Sequence, residues 1–123
     1  MTYHLVIEGY LALGGQRNTL RLLRSIAILL GFVAGFTAVA RDESRHVSFG
    51  IKLLQEAVRD DAARFAPLIQ RTLVECLPLI SGTLEPPDPR FITEYGHTQE
   101  EILDFAMNAL NRRLRAIGIN LAA

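Results

Sequence analysis

Three residues of this 123-residue chain are of the types and spacing that chemistry needs: Glu8, Glu43 and His46. Glu8 stands in the apolar run Leu5-Val6-Ile7-Glu8-Gly9-Tyr10-Leu11-Ala12. Glu43 and His46 fall on the apolar side of a long helical pattern. An ionised carboxylate is seldom placed among apolar side chains unless it is paired or bound to a metal. Helix positions i and i+3 project from one face about a turn apart, so Glu43 and His46 can reach the same cation. Glu-x-x-His is also the half-site pattern of dinuclear carboxylate bundles, to which a neighbouring helix adds a single Glu. By itself the pattern is common on solvated helices. Its place on an apolar face, with Glu8 at a matching height, is what singles it out here. Asp42 adjoins it, either as a hydrogen-bond partner for a metal-ligating histidine or as a surface charge beside Arg41 or Arg45.

Bringing these groups together takes two long antiparallel helices. The first is expected from about Thr2 to Ile26, with Leu5, Glu8, Leu11, Ala12, Gly15, Thr19, Leu22 and Ile26 inward. Gly14 and Gly15 each weaken it by about 1 kcal/mol relative to Ala, so a bend is expected there. The second is expected from about Leu30 to Val58, with Phe32, Phe36, Val39, Glu43, His46, Gly50, Leu53, Leu54 and Ala57 on one face. Glu8 then lies roughly 27 Å below the connecting turn and Glu43 roughly 20 Å beyond it, close enough in height to converge.

Two further helices complete the reading. One runs from about Asp61 to Ser81, with Phe65, Leu68, Ile69, Leu73, Cys76, Leu77 and Ile80 inward. Pro67 is tolerated near its start and Pro78 is expected to kink its end. A loop from Gly82 to His97 follows. Thr98-Gln99-Glu100-Glu101 has capping-box form and opens the last helix. Its apolar stripe is Ile102, Phe105, Ala106, Ala109, Leu110, Leu114 and Ile117. Arg112, Arg113 and Arg115 suit the negative end of the helix dipole, and Gly118 is a natural stop.

Composition narrows the function classes. Half of the residues are hydrophobic and 21% are charged. A chain of this length buries roughly two-thirds of its unfolded surface, so one all-α domain with a real core is expected, and disorder is excluded. Thirteen basic residues balance 13 acidic ones. That balance offers no general attraction to nucleic acid or to an anionic membrane. The single cysteine, Cys76, can form no intrachain disulfide and reads as a core residue, which points to the cytoplasm. Residues 1–7 lack the basic start of a secretory signal. The uncharged stretch Ser25–Ala40 falls short of the roughly 20 residues that a membrane span needs, and reads as a buried turn and helix start.

The segments Tyr3-His4-Leu5-Val6-Ile7-Glu8-Gly9, Leu11-Ala12-Leu13-Gly14-Gly15-Gln16 and Arg41-Asp42-Glu43-Ser44-Arg45-His46-Val47-Ser48-Phe49-Gly50 resemble the ribonucleotide reductase small-subunit superfamily. The closest resemblance is to its branch of ligand-binding oxidases. It covers most of the chain, is strongest over residues 3–54, and extends to Tyr95-Gly96 and Arg112-Arg113. It implies a ferritin-like helical bundle holding an Fe/Fe or Mn/Fe pair, with metal-ligand roles for Glu8, Glu43 and His46. It also matches Tyr3 to the tyrosine that the oxidases cross-link near the metals; otherwise Tyr3 packs as an ordinary aromatic. The implied activity is oxygen activation, for radical generation or for two-electron oxidation. The implied partners are a large reductase subunit or a long-chain ligand.

The family's earlier helices supply another Glu and another Glu-x-x-His, and no Glu-x-x-His precedes Glu43 here. Glu8 is only about 10 Å of helix from Met1. The chain therefore reads as the C-terminal part of a ferritin-like dinuclear domain, about four helices, with the family's N-terminal half absent. In that state it is expected to be inactive by itself. A homodimer could rebuild a symmetric six-ligand site from two copies of Glu8, Glu43 and His46. The alternative is a non-catalytic helical homodimer, or a remnant, that binds metal only on dimerisation or not at all. His4 reads as a core or surface histidine that could approach the metal's edge, and His97 as an exposed residue beside the Thr98 cap. The Arg112, Arg113 and Arg115 cluster reads as a solvated helix end.

Overall fold

A computed structural model describes residues 3–83, 88, 90 and 98–120. They form an all-α bundle. A π-helical segment, Tyr3–Ala12, runs straight into helix α1, Leu13–Ser25; α2 covers Leu30–Asp60, α3 Ala62–Thr83 and α4 Gln99–Ile117. Helix α2 packs against every other element, and α4 against the π-helical segment and α1.

Local chemistry explains most boundaries. Asp61 leaves helical geometry at φ −151°, and its carboxylate accepts from the Arg64 amide at 3.1 Å. One residue thus closes α2 and caps α3. The capping box at Thr98 forms as expected: the Glu101 amide donates to Thr98 Oγ1 at 3.1 Å, and the Thr98 amide to Glu101 Oε2 at 3.3 Å. Gly118 takes φ 88°, and the Ile119 amide returns to the Leu114 carbonyl at 2.9 Å, which satisfies the end of α4. Pro78 does not end α3, which continues to Thr83, so the expected loop starts later than Gly82. Most of that loop, including Tyr95 and His97, lies outside the described residues.

The core forms where the π-helical segment, the far end of α2, α3 and α4 meet. It joins Leu5, Val6 and Tyr10 to Val58, to Ile69, Leu73 and Ile80, and to Leu110 and Leu114. Cys76 packs at its margin, as expected of a core residue. The inward faces expected for α3 and α4 hold, apart from Leu68, which is exposed.

Two expected faces are corrected. In the first helix the α-helical period fails because Tyr3–Ala12 is π-helical, with i→i+5 rather than i→i+4 bonds. The change of phase buries Tyr10, Gly14 and Leu20 and leaves Gly15, Thr19 and Ile26 exposed. In α2 the buried positions are Val47, Gly50 and Val58, while Phe32, Val39 and Leu53 are about half exposed. Apolar spacing marks a face fit for burial, but only one side of α2 has neighbours among the described residues. Within Ser25–Ala40, expected as a buried turn and helix start, the turn is exposed, with Leu29 and Leu30 on the surface, and Val33, Phe36, Thr37 and Ala40 are half-buried. No helix among the described residues is long and apolar enough to cross a membrane.

Side-chain links fix the helices against one another. Arg24 donates to Thr37 Oγ1 at 2.9 Å and pins α1 to α2 next to their turn. Arg17 lies over the Phe105 ring at 3.9 Å and ties α1 to α4. Arg113 reaches from α4 to the Gly9 carbonyl at 2.7 Å. Gly9 is needed for the close packing of its own helix: a Cβ there would stand 2.9 Å from the His4 carbonyl, while its 3.5 Å distance to Arg113 Cδ would be an ordinary contact. Burial, with Arg112 adding repulsion, pushes the Arg113 guanidinium below its ordinary range. It stays charged at neutral pH, so its bond to Gly9 is charge-assisted. Arg113 is half-buried, not solvated as the sequence suggested.

Two stability tests follow. Arg113→Met keeps the aliphatic stem but removes the charge-assisted bond to the Gly9 carbonyl, and should cost about 1–3 kcal/mol in urea unfolding. An unchanged midpoint would show that the bond contributes nothing. Ala27 holds φ 53° in the turn between α1 and α2, the same left-handed region as Gly118. Ala27→Gly should therefore raise stability by up to about 1 kcal/mol, and Gly118→Ala should lower it by a similar amount. Thermal melts of the two variants moving in the same direction would contradict this account.

Candidate metal centre

The π-helical segment carries Glu8, and α2 carries Glu43 and His46. The hairpin of α1 and α2 folds the two back on each other, with Glu8 and Glu43 at similar distances from the turn. The result is a cluster in which each of the three residues offers one ligand atom, all within 4.8 Å of one another. It is the one group of its kind among the described residues.

The three side chains differ in setting. Glu8 is only 4% exposed and is the one buried charged residue among the described core. Its Oε2 accepts from His4 Nδ1 at 2.8 Å. With Glu8 ionised the carboxylate is acceptor-only, so that nitrogen carries the proton. Glu43 is half-buried, and its Oε2 lies 3.8 Å from His46 Nδ1, beyond hydrogen-bond length. The His46 side chain is 66% exposed. Glu43 and His46 stand side by side without bonding, and both keep lone pairs available for a third party.

Nitrogen and carboxylate oxygen donors suit zinc, iron and manganese. Three donors around one ion, with bonds of about 2.1 Å, stand roughly 3.0–3.4 Å from one another in tetrahedral or octahedral geometry. The cluster has to close by somewhat more than an ångström at its widest to grip one ion, a movement that side-chain rotation of Glu43 and His46 can supply. The donor set could therefore hold a metal ion. It also leaves coordination positions unfilled, and His46 shows the side from which they are reached.

The other expected residues are placed differently. Tyr3 is 61% exposed, and its ring stands edge-on to His4 with centroids 5.6 Å apart, so its nearest aromatic partner is His4. Asp42 is exposed and pairs with Arg45 Nη1 at 2.9 Å, the surface-charge arrangement, and shows no bond to His46. His4, expected as a core or surface histidine that could approach the metal's edge, is bonded to Glu8, a link that the expectation did not include. The i, i+4 spacing of an imidazole before a buried carboxylate is the signal that could have found it. Glu94-Tyr95-Gly96-His97 repeats the Glu-x-x-His spacing, also passed over, and lies outside the described residues. No family model matches the sequence, and no solved structure matches the chain.

Proposed function

We propose that this chain carries half of the metal site of a dinuclear Fe/Fe or Mn/Fe carboxylate oxidoreductase of the ribonucleotide reductase small-subunit type, with a ferritin-like bundle. The observation that supports the reading most is the meeting of Glu8 with Glu43 and His46 across two elements. Glu8 and Glu43 are 35 positions apart in sequence, and the resemblance names the same three residues as ligands. Bound there, redox-active iron or manganese would supply the electrons that reduce dioxygen. The chain's own part is to hold three donors, to keep water from the buried Glu8, and to present the open side through His46. The outcome would be a radical passed to a larger reductase subunit, or two-electron oxidation near a long-chain ligand. The lone Cys76 suits the reducing cytoplasm.

The remaining ligands come, in this reading, from a second copy of the chain. The open side of the cluster adjoins the uncovered stripe of α2, where Phe32, Val39, Phe49 and Leu53 are exposed. That stripe also favours the second reading, a non-catalytic helical homodimer in which apolar burial alone joins the copies.

Native mass spectrometry after anaerobic loading with iron and manganese separates the two. Two chains holding two metals are expected, and Glu43→Ala should abolish loading without loss of helicity. Metal at 100-fold over its dissociation constant should also add about 2.7 kcal/mol to stability, removable by a chelator. A dimer that stays metal-free would favour the non-catalytic reading. A metal-free monomer would sink the homodimer in both readings and leave the chain as a half-site without its other ligands.

A further inference from the structure

We infer that His4 is the positioning residue for the Glu8 carboxylate, and that Gly50 of α2 holds His4 in the place from which it acts. This rests on the metal reading above and adds to it a residue that ligates nothing.

A buried carboxylate on a helix has several rotamers, and a ligand must be held in one to bind a cation well. His4 Nδ1 ties down one carboxylate oxygen at 2.8 Å, which leaves the other for a cation. Ligating carboxylates are commonly held by such outer hydrogen bonds, and losing one typically costs 10–100-fold in metal affinity.

His4 is itself constrained. A Cβ on Gly50 would lie 2.4 Å from His4 Cβ and 2.5 Å from His4 Cγ. The imidazole therefore rests on bare α2 backbone, where no side chain other than glycine's leaves room. The Tyr3 ring stands edge-on to it. Gly50 lies four residues after His46, one helical turn along α2. The helix that presents Glu43 and His46 thus also sets, through a missing side chain, where His4 sits and how Glu8 is aimed. The two halves of the cluster are adjusted to each other by packing before any cation arrives.

The test uses the full chain, with Mn(II) titrated by calorimetry and Co(II) as a visible-absorption probe. His4→Phe keeps the ring and removes the donor. It should weaken Mn(II) binding by about 10–100-fold and shift the Co(II) bands, and it should lower the metal-free melting temperature, since the buried Glu8 loses its hydrogen bond. His4→Asn places an amide N–H near the position of Nδ1 and should recover most of the affinity. Gly50→Ala adds no ligand and improves helix propensity, yet should weaken binding by at least about tenfold. Should His4→Phe lose its helical signal, His4→Ala replaces it. His4→Phe binding within twofold of the parent, with unchanged Co(II) bands, would overturn the role of His4 while leaving the metal site standing. A parent chain that binds neither ion, indistinguishable from Glu43→Ala, would remove the metal reading and this inference with it.

Discussion

A carboxylate with almost no access to water organises this molecule. Burying Glu8 costs several kcal/mol unless its charge is answered, and the nearest answer is a single hydrogen bond from His4. Everything that makes this burial possible comes from elsewhere in the chain. Gly50 admits His4, the Arg24–Thr37 bond fixes the height of α1 against α2, and Arg113 grips the backbone one residue beyond Glu8. One hydrogen bond is a thin answer for a full negative charge. A cation at the open side of Glu8 would complete it, with Glu43 and His46 as co-ligands.

The bundle is two-sided in its energetics. At one end, the π-helical segment, α3 and α4 bury a contiguous apolar cluster against α2, and the helix ends are capped in full view. At the other, the α1–α2 hairpin carries Ile26, Ile28, Leu29, Leu30 and Phe32 on its surface. Each of these side chains, about half to two-thirds exposed, forgoes a corresponding share of the roughly 1.5–3 kcal/mol that full burial contributes. Five clustered at one turn make a patch of the kind that soluble monomers seldom display. The cluster of Glu8, Glu43 and His46 sits between these regimes, with Glu8 on the packed side and His46 on the open one.

The helices were legible in the sequence because their signals are local. Thr98 with Glu101, Gly118 after Ile117, and Asp61 between two apolar periods each act over a few residues, and each boundary fell within a residue or two. The convergence of Glu8 with Glu43 was legible for a different reason: antiparallel helices convert sequence distance into height, and both residues lie similar distances from one turn. Burial was less legible. Periodicity could show that α2 has an apolar face running through Phe32, Val39 and Leu53, but not that its neighbours approach from the side of Val47 and Val58. Tyr10 and Leu20 were missed because the π-helical turn moves every later residue off the α-helical phase. The His4–Gly50 contact was invisible for a third reason, since it depends on two segments 46 positions apart meeting with ångström precision.

The π-helical segment also has a bearing on descent. Hydrogen bonds in Tyr3–Ala12 span one residue more than α-helical bonds do. Deleting a single residue between His4 and Glu8 would let the stretch relax to ordinary spacing, with the flanking turns keeping their phase. The two residues would then stand at i, i+3, still on one face of the helix. The extra residue of a π-helical turn is thus a place where the segment can change length while the imidazole stays on the carboxylate's side.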